Sequence, residues 1–181
     1  MNINTTYTKI ITGEDLMETA QHGSTLYPFQ FYYEDLSVFD FNCIEWHWHT
    51  ELEFIYIESG TVTLWIGEDQ FHLTEGNGIF INTKVLHRLY SPSKALIPNF
   101  VFMPSFIAPC DSLIYQKYIL PIISSSLPFL VFHKKVCWQA KVLSIIRQII
   151  SAQDSVLSKE LLTSSLIQNL WLEIFENTDI S

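Results

Sequence analysis

Between Phe29 and about Phe102 the chain is a series of short β-branched and aromatic runs, cut by turn residues roughly every seven to nine positions. Ser59-Gly60 divides "EFIYIE" from "TVTLWI", and Gly67-Glu68-Asp69 divides that run from "QFHL". Glu75 to Gly78 precedes "IFI", Asn82 to Lys84 precedes "VLHRLY", and Ser91-Pro92-Ser93 closes the series. Gaps this short close hairpins, so the segment is expected to be an antiparallel barrel or sandwich, and the chain to be mainly β. Ile107 to Ser126 mixes apolar and polar residues around prolines and reads as a short helix or structured loop, and "FLVFH" at 129–133 as one more strand. From Val136 to about Gln153, Trp138, Val142, Ile145, Ile146 and Ile149 recur at helical spacing. A second helix follows, with Leu162, Leu166, Leu170 and Ile174 in one row and Ile167, Trp171 and Phe175 beside it. Two C-terminal helices this apolar are expected to self-associate, with Leu162, Leu166, Leu170, Trp171 and Ile174 at a homodimer interface. The plainer alternative is that both stripes only cover the barrel.

Ten Lys and Arg against nineteen Asp and Glu give a formal net charge of −9, so this chain by itself is expected not to bind nucleic acid. Cys43, Cys110 and Cys137 are odd in number and form no Cys-x-x-Cys pair, which argues against a disulfide framework or a zinc ribbon and fits a cytoplasmic setting. The N-terminal stretch has no apolar core of a signal peptide, and the most apolar later stretch is broken by Pro121, Pro128 and three serines, so no membrane span is expected.

The stretch "EWHWHTELEF" at 45–54 carries the densest chemistry. In a straight strand His47, His49, Glu51 and Glu53 share a face, with Trp46 and Trp48 packing on the other. Imidazoles and a carboxylate converging in one barrel mouth suit Zn, Ni, Fe or Mn, which accept mixed nitrogen and oxygen donors. His87, on a later strand, is the candidate fourth donor. Without a metal, the same rings would serve as hydrogen-bonded walls. His22, His72 and His133 lack partner spacing and read as exposed or satisfied residues.

The run His47-x-His49, three residues, Glu53, six residues, Gly60 resembles the first motif of the cupin superfamily. The second motif is kept in part: Gly76 and His87 match, while Asn82, Lys84 and Ser91 stand where proline, glycine and asparagine are usual. From about Phe29 to Asn177 the chain looks like the N-terminal sensing domain of AraC-type transcription regulators. That resemblance implies a cupin (double-stranded β-helix, jelly-roll-like) barrel over residues 1–133 with an N-terminal arm, and a two-helix dimerisation appendage over 134–181. It further implies a small-molecule effector, a sugar or related metabolite, bound by His47, His49, Glu53 and His87 with Glu51 in reserve, and DNA contact only through a helix-turn-helix domain that does not follow Ser181. The same four residues are the expected ligands of a divalent metal, should one be held. A non-enzymatic sensor is therefore expected, with a metal-dependent cupin dioxygenase or isomerase as the alternative.

Overall fold

The computed structural model describes residues 1–3 and 5–179. Nine strands form two antiparallel sheets: β1 (Phe29–Asp35), β8 (Leu96–Phe102), β3 (Leu52–Tyr56), β6 (Gly78–Ile81) and β9 (Phe129–Phe132) in that order, and β2 (Cys43–His47), β7 (His87–Tyr90), β4 (Thr61–Ile66) and β5 (Asp69–Thr74) in the other. The runs read from the sequence are the strands, and the sheets pack as a cupin-type jelly roll. Gly60 makes the β3–β4 turn with φ +86°, a left-handed conformation that a side chain resists.

Because strand side chains alternate, each strand of the five-stranded sheet serves two cores. Ile55, Ile57, Ile79, Ile81 and Ile97 face inward, against Val62, Leu64, Leu73 and Leu89 of the four-stranded sheet. Phe54, Phe80, Phe100, Phe102 and Phe132 face outward and are buried by two helices, α2 (Cys137–Ala152) and α3 (Lys159–Asn177). A preceding short α1 (Leu120–Ile123) adds Ile122 to this outer core. Ile146, Ile149, Ile167 and Trp171 lie on the phenylalanine layer, with the Trp171 ring edge-on to Phe80 at 6.0 Å. Contact is close enough that a Cβ on Gly78 would meet Ile55 O at 2.8 Å and Leu143 Cδ2 at 3.0 Å, which is why the strand starts with glycine.

This second core corrects the expected interface. Leu166, Leu170, Trp171 and Ile174 are buried within the chain, and only Leu162, 41% exposed, remains accessible. The helical stripes cover the sheet because its outer face is aromatic rather than polar, so the excess of apolar helix surface that suggested self-association is absorbed inside one molecule. The exposed leucines of α3 are instead Leu161, Leu162 and Leu172.

The departures from the second cupin motif have local reasons. Asn82 donates its backbone N–H to Pro128 O and its side-chain amide to Ile122 O and Leu127 O, tying down the crossing segment before β9; proline there would lose all three. Lys84 takes φ +60°, the conformation that favours glycine, while its N–H reaches His49 O at 2.8 Å. Ser91 Oγ donates to Thr61 O at 2.8 Å.

The N-terminal segment lies across the open edge between the sheets. Met17 bridges to Trp48, Glu18 N donates to Trp48 O, and Trp48 Nε1 donates to Asp15 O at 2.8 Å. Trp48 is thus half-buried under the chain's own arm. No described helix is long and apolar enough to cross a membrane.

Candidate functional site

Ile44 and His47 both point inward although they are three positions apart, an odd spacing that strict alternation forbids. A bulge in β2 between these positions reconciles the two. It sets His47 opposite His87 in the register, with ring centroids 4.1 Å apart. The strand ends at His47, the chain turns through 48–51, and β3 begins at Leu52 in the other sheet. Glu53 then shares the inward face of β3 with Ile55. The straight strand assumed from the sequence is therefore broken, and Glu51 leaves the common face. Its carbonyl accepts from His49 Nδ1 at 3.1 Å, and its carboxylate stands beside His49, hydrogen-bonded by the Thr50 hydroxyl, outside the chamber walls.

Each histidine of the cluster is held by a backbone carbonyl at Nδ1: His47 by Glu45 O, His49 by Glu51 O, His87 by Val85 O. With Nδ1–H donating, the Nε2 atoms of His47 and His87 are left as acceptors, while His49 Nε2 pairs with the Glu53 carboxylate. A ligating nitrogen from each ring lies within 4.8 Å of the other two, so these three could hold a metal ion. Glu53 Oε2 lies 3.2 Å from His49 Nε2 and 3.0 Å from His87 Nε2. The His87 nitrogen, on a fully buried ring, nevertheless makes no properly aligned hydrogen bond: the carboxylate oxygen is near but off-line. Acceptors crowded together with an orphaned lone pair call for a proton or a cation between them, so the donor set fits a divalent metal.

The charge states follow from burial and neighbours. Burial, reinforced by His87, lowers His47 to about 3, so its ring is neutral. For His49, burial works downward but the hydrogen bond and charge of Glu53 outweigh it and raise the pKa. Glu53 is buried, which works upward, but His49 and His87 hold its carboxyl well below the usual range.

Above this floor the sequence reading missed half of the walls. A chamber of about 30 Å³ is bounded by His47, His49 and Glu53 below, and by Tyr32, Glu34, Asn99 and the arm residues Tyr7, Ile10, Glu18 and His22 above. His87 stands behind the floor and does not line it. His22 is buried, with Nδ1 2.8 Å from the Tyr32 hydroxyl and Nε2 3.3 Å from Glu18 Oε2. Tyr7 donates to Glu34, which also accepts from Asn99 Nδ2 at 2.7 Å. Burial pushes Glu34 up to about 7, against those two hydrogen bonds. The sequence signal for these residues was weak: Tyr32 and Glu34 at alternate positions in the mixed strand β1, and Asn99 as the one polar side chain of the apolar strand β8.

Known proteins resemble this chain in sequence and in fold. Residues 30–171 match the family model described as the AraC-like ligand binding domain. A curated relative, the uncharacterized HTH-type transcriptional regulator YdeC of Bacillus subtilis (strain 168), is 24% identical over 143 residues, which are 77% of this chain and 48% of YdeC. This chain thus spans about half the length of that relative. Among solved structures, ToxT from Vibrio cholerae O395 superposes with TM-score 0.55 at 10% identity, over 84% of this chain and 56% of ToxT. A cupin-2 domain containing protein from Shewanella frigidimarina aligns over 45% of this chain and 81% of its own, with 20% identity and TM-score 0.36. The family match runs from β1 to within α3 and takes in the histidine floor, α2 and most of α3, but not the arm: the chain belongs to the AraC-like ligand binding domain family.

Proposed function

We propose that this chain senses a small polar metabolite in the chamber between its histidine floor and its N-terminal arm, and passes that state to a helix-turn-helix DNA-binding domain. The observation that carries this is the roof. The arm closes a buried polar chamber through hydrogen bonds of Tyr7 with Glu34, His22 with Tyr32, and Trp48 with Asp15. A space of about 30 Å³ holds an ion or about two waters, so with the arm in place it admits only a small head group, and the rest of any metabolite lies against Tyr7 and Ile10. Occupied and empty chambers then carry the arm differently, and that difference in affinity is what a regulator needs to shift its population.

His47, His49 and Glu53 are the floor of the proposed site, with His87 behind it, and these four would be the ligands of a divalent metal (Zn, Ni, Fe or Mn). Bound there, such an ion would supply a positive charge and open coordination positions for the effector's oxygen or nitrogen atoms. The three free cysteines fit work in the cytoplasm. Homodimerisation is retained as part of the proposal, and moved outward. Leu161 and Leu172 are eleven residues apart, about three helical turns, and so share an exposed face of α3.

Thermal shift against a metabolite library, sugars included, tests the sensing reading. A true effector at a hundredfold excess over its Kd stabilises by about 2.7 kcal/mol, and that stabilisation is expected to vanish in His47→Ala/His49→Ala. A ligand whose effect survives both substitutions would place its site elsewhere. A second reading, a metal-dependent enzyme of the cupin type, draws support from Glu34. Its carboxyl near 7 above the floor is an acid-base group that sequence alone did not reveal. Turnover of a screened compound by metal-loaded protein would favour it.

A further inference from the structure

The half of the chamber opposite the histidines has its own chemistry. Glu18 and Glu34 project into it from arm and sheet, Glu53 lies beneath, and no Lys or Arg is among the described residues that line it. Most hydrogen-bond donors on these walls are already committed: Tyr7 and Asn99 donate to Glu34, and one hydrogen of the Tyr32–His22 pair is used between those two rings, leaving the other. The three carboxylates supply more acceptor positions than the walls have donors to fill. His22 is 7% exposed and lines the chamber, and its Nε2 makes no aligned hydrogen bond, since the nearest Glu18 oxygen stands 3.3 Å away and off-line. The field agrees with the census. The Tyr32 phenol is held neutral far into the alkaline range, first by burial and then by the charges of Glu18, Glu34, Glu53 and Glu51. A carboxylate or phosphate entering here would face carboxylates with no Lys or Arg to receive it.

The chamber also has an outer room. A solvent-open groove of about 200 Å³ shares Tyr7, Ile10, Glu18 and Tyr32 with it and adds Lys9, Ile11, Thr19 and Ala20, all four exposed. A benzene ring needs about 150 Å³. Chamber and groove in series thus offer a small, electronegative inner seat and a larger, open outer one in which Tyr7, Ile10, Ile11 and Tyr32 supply apolar and aromatic surface beside Thr19 and the single cation Lys9.

On the sensing reading above, we propose that the effector is a primary monoamine: its ammonium group sits between Glu18 and Glu34 beneath the arm, and a ring-sized apolar body fills the outer room. The ammonium supplies three N–H donors to walls that have acceptors to spare. Lys9 selects against a second positive charge at the far end.

Calorimetric titration of the whole chain with benzylamine, benzyl alcohol and benzoate tests this, because the three share a ring and differ in the charge of the head. Each is run after chelator treatment and again with added Zn²⁺, so that a metal effect is separated from an amine effect. Benzylamine is expected to bind in both conditions, and the alcohol and benzoate at least about tenfold more weakly. Glu18→Gln and Glu34→Gln are each expected to weaken benzylamine about tenfold or more. Should Glu34→Gln fail to fold, Glu18→Gln, on the arm, still decides. 1,4-Bis(aminomethyl)benzene is expected to bind more weakly than benzylamine and to recover in Lys9→Ala. Equal binding of alcohol or benzoate, benzylamine binding indifferent to both Gln variants, absence of benzylamine binding, or stabilisation by Zn²⁺ alone would each overturn the amine assignment. A non-amine compound that binds in a manner dependent on His47 and His49 would remove this inference and leave the sensing reading standing; failure of every class in the metabolite screen would count against the sensing reading itself.

Discussion

The two faces of the five-stranded sheet have the same backbone and opposite fates. On the outer face Phe54, Phe80, Phe100 and Phe102 are sealed by α2 and α3 in a continuous aromatic and aliphatic core. On the inner face, toward one end, Glu34, Glu53 and Asn99 stand where apolar residues would pack better, and the cover is an arm held by a few hydrogen bonds. One strand shows both: in β3 Phe54 is packed against helix side chains while Glu53 meets two histidines. Burial of apolar area fixes the first face at roughly 25 cal/mol per Å². Hydrogen bonds contribute only about 1 kcal/mol net each to the second, and buried charge costs stability there. The fold is anchored by the helix-covered face and by the aliphatic core between the sheets, and that leaves the polar end beneath the arm free to change.

Substitutions should separate the faces. The largest effect is expected on the helix side: Trp171→Ala removes a buried ring lying edge-on to Phe80 and should cost about 3–5 kcal/mol in denaturant unfolding. A loss under about 1 kcal/mol would mean that the helices are not part of the main core.

Next comes the pH dependence of the inner face. Glu34 titrates near 7 when folded and near 4.5 when free, so the folded state binds more protons between these values. Its contribution is therefore complete below about pH 4.5 and lost as pH rises through 7, up to about 3 kcal/mol. His47 has the opposite sign: its pKa falls from 6.5 to about 3, so its contribution is present above 6.5 and lost as pH drops toward 3. Glu34→Gln should flatten the loss on the alkaline side while the acid side stays as it was; an unchanged profile would remove Glu34 from the account.

A smaller effect is expected at the arm. Tyr7→Phe deletes one hydroxyl that donates to Glu34, for about 1 kcal/mol or less once the freed carboxyl takes up a proton or water. The smallest is on the solvent side of α3, where Leu161→Glu with Leu172→Glu should leave unfolding within about 0.5 kcal/mol and yet convert a sedimenting dimer to monomer. A wild type that sediments as a monomer at micromolar concentration would remove dimerisation from the proposal.

Most of the fold was legible because its strands are short, turn-bounded and carry spacing motifs: His47, His49 and Glu53 could be placed together before any coordinates. The straight-strand assumption failed at Glu51 because a bulge and a turn, neither with a strong residue signature, re-aim the side chains after Ile44. The helix stripes were legible as apolar but not as to what they cover. Period-two alternation in β3, β6 and β8 is masked when both faces are buried, and the sequence shows one apolar run instead of two cores. The arm was the least legible part. Tyr7, Glu18 and His22 are scattered polar residues without periodicity, and their place in the site depends on long-range contacts that no local pattern encodes.

Amide hydrogen exchange tests the contrast between the faces most directly. Amides of the arm that are hydrogen-bonded at Gly13, Glu18 and Thr19 should exchange through local opening, several kcal/mol below global unfolding, while those of β3, β6 and α2 exchange only when the whole chain unfolds. A bound effector should slow the first set and leave the second unchanged. If arm and core exchange at the same free energy, or if an effector leaves the arm untouched, the arm is a fixed wall and the chamber beneath it is not the sensing site.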